Sequence, residues 1–203
     1  MLLKIHPQDP QNRLIRKVVD CLRQGGVIIY PTDTIYGIGC DIYQEKAVER
    51  VCKIKHIDPK KANFSFICRD LSHLSDFTRN IANPVFRMLK NTLPGPYTYI
   101  MDASKEVPRI MKNKKNTIGI RVPANNICAA ILEELGHPIM STSLPMEADV
   151  EYFTDPEIIE ERFGHLVDLV IDGGAGNIVP STVVDCTGEQ PGLIREGAGV
   201  FEH

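Results

Sequence analysis

The chain has 203 residues, with 23 lysines and arginines against 26 acidic side chains, a formal net charge of −3, 43% hydrophobic and 24% charged residues. This composition is that of a soluble globular protein with enough apolar material for one sizeable core, and it argues against a uniformly basic nucleic-acid binder. No stretch approaches the roughly 18 apolar residues of a membrane span, and the segment Met1-Leu2-Leu3-Lys4-Ile5-His6 is too short and too polar for a secretory signal, so a cytoplasmic single domain over residues 1–203 is expected.

In chain order, Asp9-Pro10 offers an N-cap and a first-turn proline. Leu14, Ile15, Val18, Val19 and Leu22 follow at helical spacing, and Gly25-Gly26 stops the helix. Val27–Tyr30, with its apolar run Val27-Ile28-Ile29, reads as a buried strand, which Pro31 should end because it cannot donate to a ladder. The next residues, Thr32-Asp33-Thr34-Ile35-Tyr36-Gly37-Ile38-Gly39-Cys40, read as a polar loop at the sheet's edge. Its hydroxyls can present hydrogen bonds to a small ligand, and its glycines allow close approaches. A helix is expected over Glu45 to Ile54, with Val48, Val51 and Cys52 on one face. Asn83-Pro84 and Asp155-Pro156 open two more helices, and Asn125 or Asn126 caps another that closes at Gly136. The remaining strand candidates are Phe64–Cys68, Tyr97–Met101, Thr117–Val122, Ile139–Thr142, Leu166–Ile171, Thr182–Asp185 and Leu193–Arg195. Alternating helix and strand signals predict an α/β layered fold, and the close spacing of the later strands predicts that part of the sheet is antiparallel. Gly173-Gly174-Ala175-Gly176-Asn177 reads as the most flexible loop.

Six scattered cysteines (Cys21, Cys40, Cys52, Cys68, Cys128 and Cys186) form no CxxC pair and read as reduced core thiols. A run of cations, Lys46, Arg50, Lys53, Lys55, Lys60, Lys61 and Arg69, is opposed by only Glu49 and Asp58. It is either a solvated face or a local patch for a nucleotide or RNA. Neither a GxxxxGK[ST] phosphate loop nor a GxSxG elbow occurs, and the histidines lack zinc spacing, so no metal-binding residues are expected. What remains is a set of hydroxyls and cations at strand ends: Thr32, Thr117, Arg121, Ser141, Ser143, Ser181 and Arg195, with Lys53 and Lys55 at a helix end. Together they suggest one cleft with cationic and hydroxyl donors. Such a lining suits phosphoryl or nucleotidyl chemistry, where positioning and charge neutralisation dominate.

These residues sit in ordered segments that resemble the YrdC/YciO family over nearly the whole chain. The segments are Gly25–Cys40, Lys53-Ile-Lys55, Leu93-Pro-Gly-Pro-Tyr-Thr-Tyr-Ile100, Thr117-Ile-Gly-Ile-Arg-Val-Pro123, Ser141-Thr-Ser143, Ser181-Thr182 and Leu193-Ile-Arg-Glu-Gly197. Cys68–Ser75, Glu106–Arg109 and Ser141–Leu144 resemble its YciO branch. The resemblance implies a twisted, open, mixed α/β sheet with flanking helices and a concave basic surface. It also implies threonylcarbamoyl-AMP synthase chemistry: L-threonine, bicarbonate and ATP, with Mg²⁺, combine into an adenylate that serves tRNA adenosine-37 modification through partner proteins. By position, Lys53 and Lys55 would be catalytic, Thr32, Arg121, Ser141 and Ser181 would bind substrate, and Thr117, Ser143 and Arg195 would hold the nucleotide. The chain departs from the synthase pattern in three places. Lys55 replaces an arginine and loses its planar two-pronged donor. Leu144-Pro145 replaces Ala-Asn, and Ile67 replaces a histidine. Weaker catalysis, another acyl substrate and binding without turnover all stay open. The alternative reading is a non-catalytic double-stranded RNA- or tRNA-binding protein.

Overall fold

The structure, a computed structural model, describes residues 1–59, 62–145 and 153–201. Its strands are β1 (Leu2–Lys4), β2 (Val27–Tyr30), β3 (Gly37–Asp41), β4 (Ser65–Ile67), β5 (Tyr97–Asp102), β6 (Thr117–Arg121), β7 (Ile139–Ser143), β8 (Leu169–Asp172), β9 (Thr182–Asp185) and β10 (Gly192–Arg195). The helices are α1 (Asn12–Arg23), α2 (Glu45–Ile54), α3 (Leu71–Phe77), α4 (Asn83–Thr92), α5 (Asn126–Leu135) and α6 (Pro156–Phe163). Among the described residues these ten strands form one open sheet in the order β1-β8-β2-β3-β7-β4-β6-β5-β9-β10. The sheet is mixed: β8 runs parallel to β1 and β2, β4 to β6 and β5 to β9, and the other neighbours are antiparallel. Among the described residues no helix is long and apolar enough to cross a membrane.

Side chains alternate across the sheet, so each strand feeds both of its faces. On one face Ile29, Ile38, Cys40, Phe66, Met140, Ile118, Ile120, Tyr99 and Val184 join a core closed by buried residues of α2, α3, α4 and α6. On the other face Ile28, Tyr30, Ile67, Ile139, Leu169 and Ile171 pack against Ile15, Val18, Val19 and Leu22 of α1 and Ile127, Ile131, Leu132 and Leu135 of α5. Those two helices cover only part of that face.

Helix α5 begins where Asn125 accepts a hydrogen bond from the Cys128 amide at 3.0 Å and ends at Gly136, whose φ of 84° only glycine adopts easily. Asp155 caps α6 through the Glu157 amide at 2.9 Å. Two other openings differ from the sequence reading. Helix α1 starts at Asn12 with Gln11 as N-cap and no side-chain cap, so Asp9-Pro10 lies ahead of it. Helix α4 has Ala82 as N-cap, which leaves Asn83 and Pro84 inside the first turn. The strands β1 and the helix α3 carry no strong periodic signal and escape the sequence reading, and β8 begins at Leu169 rather than Leu166.

The largest correction concerns Gly37–Cys40. The expected loop is a strand, β3, paired on one side with β2 and on the other with β7, well inside the sheet. Gly39 is there because a side chain would collide with the Met140 carbonyl and the Ile139 side chain, so glycine allows tight strand packing rather than breaking the strand. Only Pro31–Tyr36 remains as the connection. The Gly173–Asn177 segment is also more constrained than expected. Tyr36 donates to the Gly174 carbonyl at 2.7 Å, the Asn177 amide donates to the Thr34 carbonyl at 3.2 Å, and the Asn177 side chain donates to the Asp33 carbonyl at 3.2 Å. All six cysteines are free, five of them buried, and burial holds the thiols of Cys40, Cys68, Cys128 and Cys186 far above their ordinary pKa.

Candidate active site

Where α1 and α5 leave the sheet bare, the same face opens into a cleft of about 870 Å³. Its floor follows from strand register. Gly39 lies opposite Ser141, Ser141 opposite Ser65, Ser65 opposite Gly119, Gly119 opposite Ile100 and Ile100 opposite Asp185. One cross-strand row therefore runs over six strands, and its members from Ser141 to Asp185 line the cleft with only Ile100 carrying a large apolar side chain. Gly119 sits in its middle, and a Cβ there would come within 2.6 Å of the Ser65 hydroxyl. A neighbouring row brings in Arg121, which pairs with Ile67, and Val183, which lies between Thr98 and Arg195.

Among the described residues four cations line the cleft, Lys114, Lys115, Arg121 and Arg195, against one carboxylate, Asp185. The hydroxyls of Ser65, Thr98, Thr117, Ser141, Ser143 and Ser181 join them. No histidine or cysteine lines it among the described residues. The lining thus supplies hydrogen-bond donors and positive charge, and no side chain suited to act as an imidazole base or a thiolate nucleophile.

Arg121 organises one end. A single terminal nitrogen, Nη2, reaches Asp33 at 3.0 Å and Thr34 Oγ1 at 2.8 Å. The other Asp33 oxygen accepts the Ala124 amide at 3.0 Å, which ties the turn between β2 and β3 to the start of α5. The two side chains of this ion pair are only 11% and 9% exposed. Arg121 Nε is buried and has no hydrogen-bond partner among the described residues. Unsatisfied buried donors of this kind are rare.

Of the sequence-derived candidates, Thr117, Arg121, Ser141, Ser143, Ser181 and Arg195 do converge on this cleft. Ser181 bonds Thr98 Oγ1 at 2.7 Å, and its carbonyl accepts from Arg195 Nη2 at 2.7 Å. Ser141 accepts a 2.6 Å hydrogen bond from Tyr30, whose phenol pKa burial pushes up, so Tyr30 stays a donor. Thr117 is fixed by Asn113, which accepts its amide at 3.0 Å and donates to its hydroxyl at 3.0 Å. Lys55 stands just outside the lining. Its ammonium donates to Ser143 Oγ at 3.2 Å and to the Leu144 carbonyl at 2.9 Å, and burial lowers its pKa.

Besides Lys55, two more candidates are not brought into the lining. Thr32 accepts the Thr34 amide at 3.0 Å and donates to the Ile35 carbonyl at 2.8 Å, so its hydroxyl closes the turn. Lys53 is exposed in the last turn of α2. The cationic run is also dispersed. Arg50 pairs with Asp168 at 2.6 Å, and Arg69 pairs with Asp70 and Glu133 at 2.9 and 3.0 Å. Lys60 and Lys61 lie outside the described residues. The cleft's own lysines, Lys114 and Lys115, and its Asn63, Thr98 and Asp185 escaped the sequence reading. The alternation Thr98-Tyr99-Ile100 and Val183-Val184-Asp185 was the available signal, since it puts Tyr99 and Val184 in the core and their neighbours on the open face. Of the three departures from the synthase pattern, Ile67 is fully buried against the α1/α5 layer rather than in the cleft, whereas Lys55 and Leu144 meet each other beside it.

The chain matches the Sua5/yciO/yrdC family model, described as "Telomere recombination", over residues 20–197. It is 47% identical over 196 residues to the uncharacterised protein YciO of Escherichia coli K12, covering 96% of this chain and 94% of that one. The crystal structure of E. coli YciO superposes with a TM-score of 0.91 at 46% identity, over 98% of this chain and 97% of the other. A threonylcarbamoyl-AMP synthase of Coxiella burnetii is 33% identical over 168 residues, 83% of this chain and 89% of that one. The structure of P. abyssi Sua5 complexed with L-threonine gives a TM-score of 0.85 at 26% identity, over 97% of this chain and 57% of the larger protein. Fold and relatives agree, and the chain belongs to the Sua5/YciO/YrdC family.

Proposed function

We propose that the protein binds ATP in this cleft and forms an acyl-adenylate of the threonylcarbamoyl-AMP type. In that reaction the threonine amine adds to bicarbonate carbon and water leaves. A carbamate oxygen then attacks the α-phosphorus, and the bond to the β,γ-diphosphate breaks, releasing pyrophosphate. The observation that carries the reading is the convergence of Arg121, Arg195, Lys114 and Lys115 with a row of hydroxyls in one cleft. A reaction between anions needs fixed positive charge and oriented donors more than it needs a strong base, because the nucleophile is itself anionic. The likeness to the C. burnetii synthase and to the threonine complex of P. abyssi Sua5 supports the same chemistry.

ATP would bring Mg²⁺ with it. Among the described residues no group of three or more histidine, cysteine or carboxylate side chains could cage a metal ion, and the cleft offers one carboxylate, so the triphosphate itself would supply most of the ligands. Arg121 with Ser141 and Ser181 would take the amino-acid and carbonate half, as family positions imply. Thr117, Ser143 and Arg195 would take the nucleotide, and Lys55 would hold Ser143 in place.

The test is incubation of purified protein with ATP, Mg²⁺, L-threonine and labelled bicarbonate, with mass spectrometry for threonylcarbamoyl-AMP. The reading expects product with the wild-type protein and about a hundredfold less with Arg195→Ala, the scale of losing one charged contact to a reacting phosphate. Intact ATP binding with no adduct would overturn the synthase reading, and absence of ATP binding would overturn the nucleotide reading altogether.

A further inference from the structure

Asp185, the one carboxylate of the cleft among the described residues, has no evident place among groups chosen for anions. Asp185 stands in the floor row, directly across from Ile100, and makes no ion pair among the described residues with any of the four cations that share the cleft. A carboxylate repels phosphates, so its presence there opposes binding unless it meets a donor. Its orientation is set on one side only. Oδ1 accepts the Thr187 amide at 2.9 Å and the Thr187 hydroxyl at 2.7 Å. Those two bonds turn the carboxylate and leave Oδ2 as a fixed acceptor.

The surroundings are apolar. Ile100 is the cross-strand neighbour of Asp185, and Val183 lies two residues earlier on the same face of β9. Ile194 of β10 also lines the cleft and is 59% exposed. Arg195, paired with Val183, and Thr117 are the charged and polar groups nearest in register. An apolar surface, a fixed carboxylate acceptor and cations share this one cleft, the three kinds of group that the base, sugar and phosphates of a nucleotide need. A carboxylate is the standard acceptor for a sugar hydroxyl in other nucleotide sites.

Resting on the nucleotide reading above, we infer that Asp185 recognises a ribose hydroxyl and makes the cleft selective for ribonucleotides over deoxyribonucleotides. The base lies over Ile100, Val183 and Ile194, and the sugar donates to Asp185 Oδ2. A deoxynucleotide leaves that acceptor unpaired beside phosphates.

The experiment is calorimetric titration of the wild-type chain and Asp185→Asn with ATP, 2′-deoxy-ATP and 3′-deoxy-ATP, with L-threonine titrated in parallel. Asparagine keeps an oxygen for Thr187 and removes the charge. The wild-type protein should bind at least one deoxy analogue about ten- to a hundredfold more weakly than ATP, the scale of a hydrogen bond to a charged group. The variant should bind ATP and that analogue within threefold of each other. Equal wild-type affinity for all three nucleotides would overturn the inference, as would undiminished discrimination by Asp185→Asn. A variant altered only in threonine affinity would overturn it too, and would give the carboxylate to the amino substrate's ammonium. If ATP fails to bind the wild-type protein, the nucleotide reading falls and takes this inference with it, an outcome distinct from ATP binding without sugar discrimination.

Discussion

One face of the sheet has two halves that obey the same alternation and serve opposite ends. The boundary runs inside single strands. In β7, Ile139 is packed under α5 while Ser141, two residues on, lines the cleft; in β4, Ile67 is packed and Ser65 is open. Alternation therefore decides which way a side chain points, and side-chain size together with an overlying helix decides whether that face becomes core or open cleft. Serine, threonine and glycine in the uncovered half leave no apolar surface large enough to demand a helix.

The sharpest way to break this division is Arg121→Ala, because Arg121 lines the open half yet locks the β2–β3 turn. Removing it strands Asp33, itself 9% exposed, and should cost about 3–5 kcal/mol, the usual penalty for an uncompensated buried charge, read as a drop in the denaturation midpoint. Ile131→Ala probes the covered half. Ile131 is fully buried in α5, so about 2–5 kcal/mol should be lost while ATP affinity stays unchanged. Gly119→Val probes the centre of the floor. Its Cβ would press on Ser65, so overpacking should cost about 1–3 kcal/mol and nucleotide titration should show binding abolished. Ser65→Ala should reverse the pattern of Ile131→Ala, with stability within about 0.5 kcal/mol of wild type and ATP affinity reduced a few-fold.

The smallest effect is a pH dependence at the cleft's rim. Burial lowers the Lys55 pKa from its ordinary 10.5, so folding penalises the charged ammonium. The penalty is full below the folded-state pKa, and it fades as pH rises from there towards 10.5, where the unfolded chain binds more protons. Melting temperatures should therefore show the wild-type protein gaining on Lys55→Met across that alkaline window. A constant difference between the two would mean that Lys55 feels no burial.

Much of this architecture is legible in the sequence. The bounds of β2, α2 and β9 follow directly from their apolar patterns, and Gly136 and Asp155 act as the stop and cap that their residue types suggest. The strand β3 was not legible, because Gly37 and Gly39 carry the composition of a loop while the neighbouring β7 backbone requires their small size. Six candidate site residues reach the cleft because strand-end hydroxyls and arginines on one face must converge when their strands pair. Thr32 was misleading because a threonine in a tight turn satisfies its own backbone as readily as a ligand. Lys114 and Lys115 were missed because a lysine pair in a loop says nothing of what that loop overhangs.

The central claim is that the uncovered half of this face is the ligand site. Amide chemical-shift mapping of the labelled protein with ATP tests it most directly. The account predicts shifts at Ser65, Thr98, Gly119, Thr117 and Ser181 and none at Ile131, Leu132 or Val18. Shifts confined to α1 and α5, or spread along Arg50 and Arg69 with the cleft unmoved, would contradict it.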